Sequence, residues 1–268
     1  MRTVICHFFD EEYLLPWWLT HHLRHFDHGI LIDHGSTDNS ADICRTLAPH
    51  WRLVRSRLMK FDAFLTDFEV MQYEQEMPGW KIALNVTEFL APTSPLAEIE
   101  RHLVEQGRAG CAGSGYYVVD EAPDSLPVHE QPLLTQKHHG FDDNAITDAE
   151  QRQALGLDPM PMRNRFYHRD PVGMYIPGRH RSYHPDSTLR LVDLPIFYYG
   201  FAPWNERVLR RKLQIRGKLR PEDVKRGWGA QHVRDEAAWN AAYDKLKPAS
   251  GDLMAHPRAR MAIERYAG

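Results

Sequence analysis

Along the first 120 residues the spacing of apolar positions switches repeatedly between a strand period and a helix period. Val4-Ile5-Cys6-His7-Phe8-Phe9 is an apolar run of buried-strand length. Leu15, Trp18, Leu19, His22, Leu23 and Phe26 then recur at three- and four-residue steps, which is one face of a helix. Asp10, Glu11 and Glu12 precede it, where the positive end of a helix favours carboxylates, and Pro16 fits its first turn. A second strand at 29–33 leads through the polar turn 34–40 into a helix at 41–47, and a third strand follows at 51–54. Phe61, Phe64, Leu65, Phe68 and Met71 repeat at helical spacing, and 80–86 reads as a fourth strand ending in 87–90. Ser94 as cap and Pro95 at the first helical position start a further helix that ends near Gly107, and 111–119 supplies a fifth strand. Loops then run to about 165, followed by short strands and by helices from about 204 and 235.

Apolar strands alternating with helices predict an α/β fold, a largely parallel sheet with helices on both faces. Ligands in such sheets sit beyond the carboxyl ends of the strands. That rule selects Phe9-Asp10-Glu11, the segment 33–38, the segment 85–88 and Asp120-Glu121, each a polar cluster directly after an apolar run.

Composition narrows the class without changing it. Of 268 residues 43% are hydrophobic and 26% charged, a globular balance, and a net charge of −3 is not that of a nucleic-acid polycation. Cys6, Cys44 and Cys111 are odd in number and far apart, which excludes a disulfide framework or a CxxC zinc ribbon and suits a reducing compartment. The acids at 10–12 interrupt any leader-like apolar run, and no stretch approaches the ~20 apolar residues of a membrane span, so a cytoplasmic protein is expected.

The sharpest segment is Asp33-His34-Gly35-Ser36-Thr37-Asp38-Asn39-Ser40. It resembles the D-x-x-S-x-D signature of family 2 and related GT-A glycosyltransferases. Asp10-Glu11, followed by Leu14-Leu15 and Trp18-x-x-His21-His22, resembles the N-E-x-x-L…W-x-x-H-H opening of a subset of that group. Ala83-Leu84-Asn85-Val86-Thr87-Glu88-Phe89-Leu90 stands where the subset has F-L-D-x-D-E-F-L. Three blocks in the right order and spacing span about the first 120 residues; beyond them the match rests on Gly178-Arg179-His180 and Tyr198-Tyr199-Gly200-Phe201. The resemblance implies a single GT-A domain over 1–268, with a nucleotide-sugar half at 1–120 and an acceptor half at 121–268. It also implies transfer of a sugar from a nucleotide-diphosphate donor to a carbohydrate or lipid-linked acceptor. Phe9, Asp10, Glu11, Asp33, Ser36 and Asp38 would line the nucleotide pocket, and the D-x-D aspartates would hold Mn²⁺ or Mg²⁺ against the diphosphate.

This chain departs from the pattern at the metal motif, where Asn85 and Thr87 replace the aspartates. Three readings follow: Glu88 with a later histidine such as His184 holds a metal, cationic side chains replace the metal, or the protein binds nucleotide sugars without transferring them. Pro177-Gly178-Arg179-His180-Arg181-Ser182-Tyr183-His184 supplies the cations for the second reading, with Arg179 and His180 first in line, since a forked guanidinium matches phosphate geometry. Inverting transfer needs a carboxylate base, for which Asp120 is the candidate, with Glu121, Asp142 and Asp143 competing.

Other features are weaker. His21 and His25 have helical zinc-ligand spacing but no third ligand, so a metal-dependent hydrolase is the remote alternative. Trp17, Tyr116, Tyr117, Trp204 and Trp228 are aromatics able to stack on sugars. From 205 to 226 nine Lys/Arg face three Asp/Glu, with Arg207, Arg210, Arg211, Gln214 and Lys218 on one helical stripe. Such a run reads as a solvated face or as a contact with anionic lipid, and not as a nucleic-acid site, because no aromatics interleave it.

Overall fold

The computed structural model describes residues 1–226 and 233–267. Apolar β1 (Arg2–Phe8) is flanked by β2 (His28–Asp33) and β4 (Trp80–Ala83), and β3 (Arg52–Arg55) lies outside β2, all four parallel. Between these strands run α1 (Leu15–His22), α2 (Ser40–Leu47) and α3 (Ala63–Glu76). The order β3-β2-β1-β4 places the carboxyl ends of all four on one edge. The second half extends the same sheet with other polarity. β6 (Gly110–Val119) pairs antiparallel with β7 (His139–Asp142) and β8 (Phe166–His168), and β8 also pairs antiparallel with β4. β9 (Arg190–Phe201) runs parallel to β6 and antiparallel to β5 (Glu88–Leu90), and β10 (Gly251–Asp252) closes the far edge on β7. The remaining helices are α4 (Leu96–Glu105), α5 (Leu133–Gln136), α6 (Ala149–Ala154), α7 (Glu206–Gln214), α8 (Pro221–Lys225), α9 (Glu236–Leu246) and α10 (Pro257–Glu264).

The main core gathers Val4, Trp18, Leu31, Phe89, Ile196 and Ile263, and a second cluster joins Tyr117, Phe201, Trp204, Val208, Trp239 and Tyr243. Each such side chain contributes about 1.5–3 kcal/mol by leaving water. The three cysteines are buried and unpaired. No helix among the described residues is long and apolar enough to cross a membrane.

Three local expectations change. Pro95, not Ser94, is the cap of α4, and no side chain caps that helix. The strand expected through Val86 stops at Ala83, and the chain turns at 85–87 so that β5 leaves to pair with β9. On α3 the face toward solvent carries Phe64 (54% exposed), Leu65 (40%) and Phe68 (48%), whereas Asp67, Glu69, Val70, Tyr73 and Glu74 point inward. Apolar spacing usually marks the buried side of a helix. Here inward carboxylates win because each has buried partners: Asp67 meets Arg179 and Gly178, Glu69 meets Ser56 and Arg57, and Glu74 meets Gly173 and Tyr175.

Candidate active site

The loops after β1 and β2 are knitted together by their own polar groups. Gly35 (φ +76°) makes the turn after β2, and Asp10 also takes a left-handed backbone (φ +48°). The Asp10 N–H donates to Ser36 Oγ at 3.0 Å, and the Asp10 carboxylate accepts from the Thr37 N–H at 2.6 Å. Asp33 Oδ1 accepts from the Ser36 N–H at 2.8 Å. Asp38 accepts from the Glu12 and Ser40 N–H groups, and the Glu11 N–H donates to Ser40 Oγ at 2.8 Å. The predicted nucleotide residues Asp10, Glu11, Asp33, Ser36 and Asp38 are therefore brought together. Beside them a surface cleft of about 570 Å³ includes Asp10, Asp38, Arg207 and Arg210.

Sharing Arg211 and Gln214 with that cleft, a cavity of about 430 Å³ opens beyond β1 and β4 toward β6 and β9. Phe9, Glu11, Asn85, Thr87, Arg179 and His180 line it. His7 and His34 line it too, with rings 5.1 Å apart and Phe61 edge-on to both. His34 is only 4% exposed and neither of its ring nitrogens has a partner; His7 Nε2, His180 Nδ1 and Arg179 Nε are likewise buried without hydrogen bonds. Burial pushes His7 and His180 well below the usual imidazole range, and Arg179 adds to both shifts, so these rings are neutral donor–acceptor groups.

The 85–90 block is organised around two arginines. Glu88 does not face the cavity: its carboxylate takes a two-pronged contact from Arg165 (2.7 and 2.5 Å) and the Asn85 N–H at 2.8 Å. Burial raises the Glu88 pKa, but the charge of Arg165 outweighs it and the net direction is down. Arg165 also donates to the Gly178 carbonyl at 2.7 Å, anchoring the turn that carries Arg179. Arg179 itself sits in the left-handed region (φ +59°), a strained conformation for a residue with a side chain. An ion pair with Asp67 and a 2.9 Å bond from Nη2 to Asn85 Oδ1 hold it there. Asn85 thus presents a guanidinium to the cavity.

Several predicted residues lie elsewhere. Asp120 is sequestered: Oδ1 accepts from Lys137 Nζ (2.7 Å) and the Ala122 N–H, and Oδ2 accepts from the Trp204 N–H at 2.8 Å. It does not line the cavity, and both of its oxygens are already engaged. Asp143 is buried against Arg152, Asp142 accepts from the Asn144 N–H, and Glu121 faces His139. The tentative metal pair also fails. Glu88 is consumed by Arg165, and His184 Nε2 stands 3.0 Å from Asp170 Oδ2, outside the cavity lining. No cluster of three His, Cys, Asp or Glu able to hold a metal occurs among the described residues. Asn85, Thr87 and Glu88 do not fit Mn²⁺ or Mg²⁺ in this arrangement, because the one charged ligand already carries an arginine. His21 and His25 are packing groups, on the Leu90 carbonyl (2.7 Å) and on Tyr266.

The basic run at 205–226 is used partly inside the molecule. Asn205 caps α7, Arg211 pairs with Glu11, Gln214 donates to the carbonyls of Phe9 (3.0 Å) and Asp10 (2.6 Å), and Lys218 donates to the His34 carbonyl. Arg207, Arg210, Arg216, Lys225 and Arg226 remain exposed. Of the stacking candidates, Tyr117 lines the cavity, Trp17, Tyr116 and Trp204 are buried away from it, and Trp228 lies outside the described residues. Sequence reasoning missed His7, His34, Arg163 and Lys212. Only Lys212 left a signal, four residues after buried Val208 and beside Leu209 and Leu213, on the apolar side of α7.

No family model matches the chain, and no curated protein matches it. Solved structures are similar in backbone at low identity. Residues 1–349 of S. aureus TarS are 10% identical, over 96% of this chain and 72% of that one, with a TM-score of 0.43. The same protein in complex with UDP is 13% identical over 47% and 38%, with a TM-score of 0.37. Glucosyl-3-phosphoglycerate synthase from Mycobacterium tuberculosis, in complex with Mn²⁺, UDP and glucosyl-3-phosphoglycerate, is 14% identical over 63% and 56%, with a TM-score of 0.35. The chain spans 23% of the longer TarS structure and about half of the synthase. Mixed α/β architecture is common to this chain and to these neighbours.

Proposed function

We propose that the protein transfers a sugar from a nucleotide-diphosphate donor to an acceptor hydroxyl, with Arg179 and His180 in place of a metal. The observation that carries this reading is the buried Arg179 guanidinium, fixed by Asp67 and Asn85 and with an unpartnered Nε among the described residues, in a cavity that His180, with its Nδ1 also unpartnered, lines too. Preorganised donors of this kind stabilise charge that grows on a leaving diphosphate, at no reorganisation cost during the reaction. The nucleoside is assigned to the knitted loops, where Phe9 lines the cavity with Lys218 Nζ 4.3 Å from its ring centre and Asp33 accepts through Oδ1 alone among the described residues. Asn85 and Thr87 border the diphosphate.

In the transfer the acceptor oxygen attacks the anomeric carbon, the bond from that carbon to the β-phosphate oxygen breaks, and the electron pair leaves with the nucleoside diphosphate. The hydroxyl proton needs a base in the cavity. Glu11 and Asp67 are paired with arginines, so the role falls to Asp158, the lining carboxylate with no ion pair within 4.0 Å among the described residues. Calorimetric titration with UDP, GDP and TDP sugars, followed by mass spectrometry of products with and without Mn²⁺ or EDTA, tests the reading. Turnover that survives EDTA, falls in Arg179→Lys and is lost in Asp158→Asn is expected. Binding without any transfer would leave a nucleotide-sugar-binding protein, and absolute dependence on Mn²⁺ would return the diphosphate to a metal.

A further inference from the structure

Five Arg or Lys side chains line the cavity against three carboxylates. Arg179 and Arg211 are neutralised by Asp67 and Glu11. Arg163, Lys212 and Arg234 have no carboxylate within 4.0 Å among the described residues, and residues 227–232 contain no acid in their sequence. Aromatic rings hold these three cations instead. Lys212 is 6% exposed, with Nζ 3.9 Å from the Trp239 ring centre and 4.3 Å from that of Phe201. Arg234 stands 5.2 Å from the same Trp239 ring. Arg163 lies 4.2 Å from the Tyr198 ring and donates to the Tyr117 hydroxyl at 2.9 Å. Gly115 makes that position possible, since a Cβ there would fall 2.3 Å from the Arg163 backbone.

Ring faces attract a cation but do not cancel its charge, and a buried cation without a counter-charge is unfavourable. Burial, reinforced by Arg211, Arg163 and Arg234, drives the Lys212 amine well below its usual range. Asp158 and Glu11 act on these cations only from beyond ion-pair distance, so an anion brought from outside would supply the close counter-charge. We infer that Lys212, Arg163 and Arg234 form a subsite for an anionic group, phosphate or carboxylate, of the second substrate. This rests on the transfer reading above: the donor diphosphate is assigned to the β4 end beside Arg179, whereas these cations stand at the β9, α7 and α9 end. An acceptor with an acidic group gains two forked donors and an amine that takes up a proton. A neutral acceptor leaves the Lys212 amine without its proton and the two guanidiniums without a close counter-charge, so the subsite selects acidic acceptors.

The test uses the full chain with inorganic phosphate and acetate as separate probes, at constant ionic strength set with chloride. Acylation of individual lysines by acetic anhydride is followed by peptide mass spectrometry, alongside calorimetry of each anion. Phosphate or acetate is expected to slow labelling of Lys212 selectively, and Lys212→Met to weaken that anion by at least about tenfold while UDP affinity stays within about threefold. Protection by phosphate alone assigns a phosphoryl group, and protection by acetate alone a carboxylate. Equal effects on Lys212 and on exposed lysines, or unchanged anion affinity in Lys212→Met, overturn the proposal. Displacement of phosphate from Lys212 by UDP also overturns it, because the donor diphosphate would then occupy the subsite. Should Lys212→Met fail to fold, labelling of the unmodified protein decides alone. Failure of every nucleotide sugar to bind removes the transfer reading, and selective anion protection of Lys212 would still show the subsite.

Discussion

Around residues 10–40 Asp10, Glu12, Asp33 and Asp38 each accept from a nearby N–H group, and those bonds hold two loops in register. In the cavity behind them His7, His34, His180 and Arg179 keep buried nitrogens with no hydrogen-bond partner among the described residues, and His7 Nε2 has only Glu69 at 3.8 Å. Both regions are dense in polar groups at strand ends, and they differ in whether the protein satisfies them. A satisfied cluster shapes the backbone; an unsatisfied one keeps its donor and acceptor capacity. The acids that looked most chemical in the sequence chiefly do the first, and basic or imidazole groups from distant segments supply the second.

The contrast can be broken most sharply at Glu88. Glu88→Gln leaves Arg165 buried and charged, and should cost about 3–5 kcal/mol of stability by urea unfolding. It should also loosen the Gly178 turn, so Arg179 would lose its fixed position; an effect below 1 kcal/mol would show that Arg165 finds water instead.

Acid should act next. Burial lowers His21 to about 3 and His25 to about 4 from 6.5, with His25 and Arg24 adding to the first shift and Arg265, Arg24 and Arg2 to the second. Their neutral forms belong to the fold, so this contribution is complete above pH 6.5 and declines as pH falls toward those lowered values. Each should remove about 1–2 kcal/mol between pH 7 and 5. Urea midpoints across that range, with His25→Gln flattening the slope, check the sign; stability rising on acidification would refute it.

Lys212→Met replaces a buried, uncompensated amine with an apolar chain of similar length among Phe201, Trp204 and Trp239. Stability should rise by about 1–2 kcal/mol, read as a higher thermal midpoint. A fall in midpoint would mean that the rings favour the cation more than burial opposes it. The smallest change belongs to the loops: Ser36→Ala deprives the Asp10 N–H of its acceptor and should cost about 1 kcal/mol.

Much of the fold was readable because β1, β2 and β4 are apolar runs separated by helical spacing, and such local patterns need no knowledge of distant partners. The site was legible at its loops for the same reason, since Gly35 and the Asp-Ser-Asp spacing encode their own turn. Glu88, Asp120 and Lys212 were not legible. Their settings depend on Arg165, Lys137 and Trp239, which lie 77, 17 and 27 positions away and carry no mark of the pairing. The inward acids of α3 obey the same limit, with Arg179 112 and Tyr175 101 positions downstream.

That reversed helix bears on how the chain reaches its native state during synthesis. A ribosome that has released only the first 120 residues exposes an α3 whose future inner side is carboxylate and whose outer side is phenylalanine, with neither Arg179 nor Tyr175 yet made. A fragment ending at Val119 should therefore stay protease-sensitive through 63–76, and addition of the segment through Arg181 should be the step that protects it.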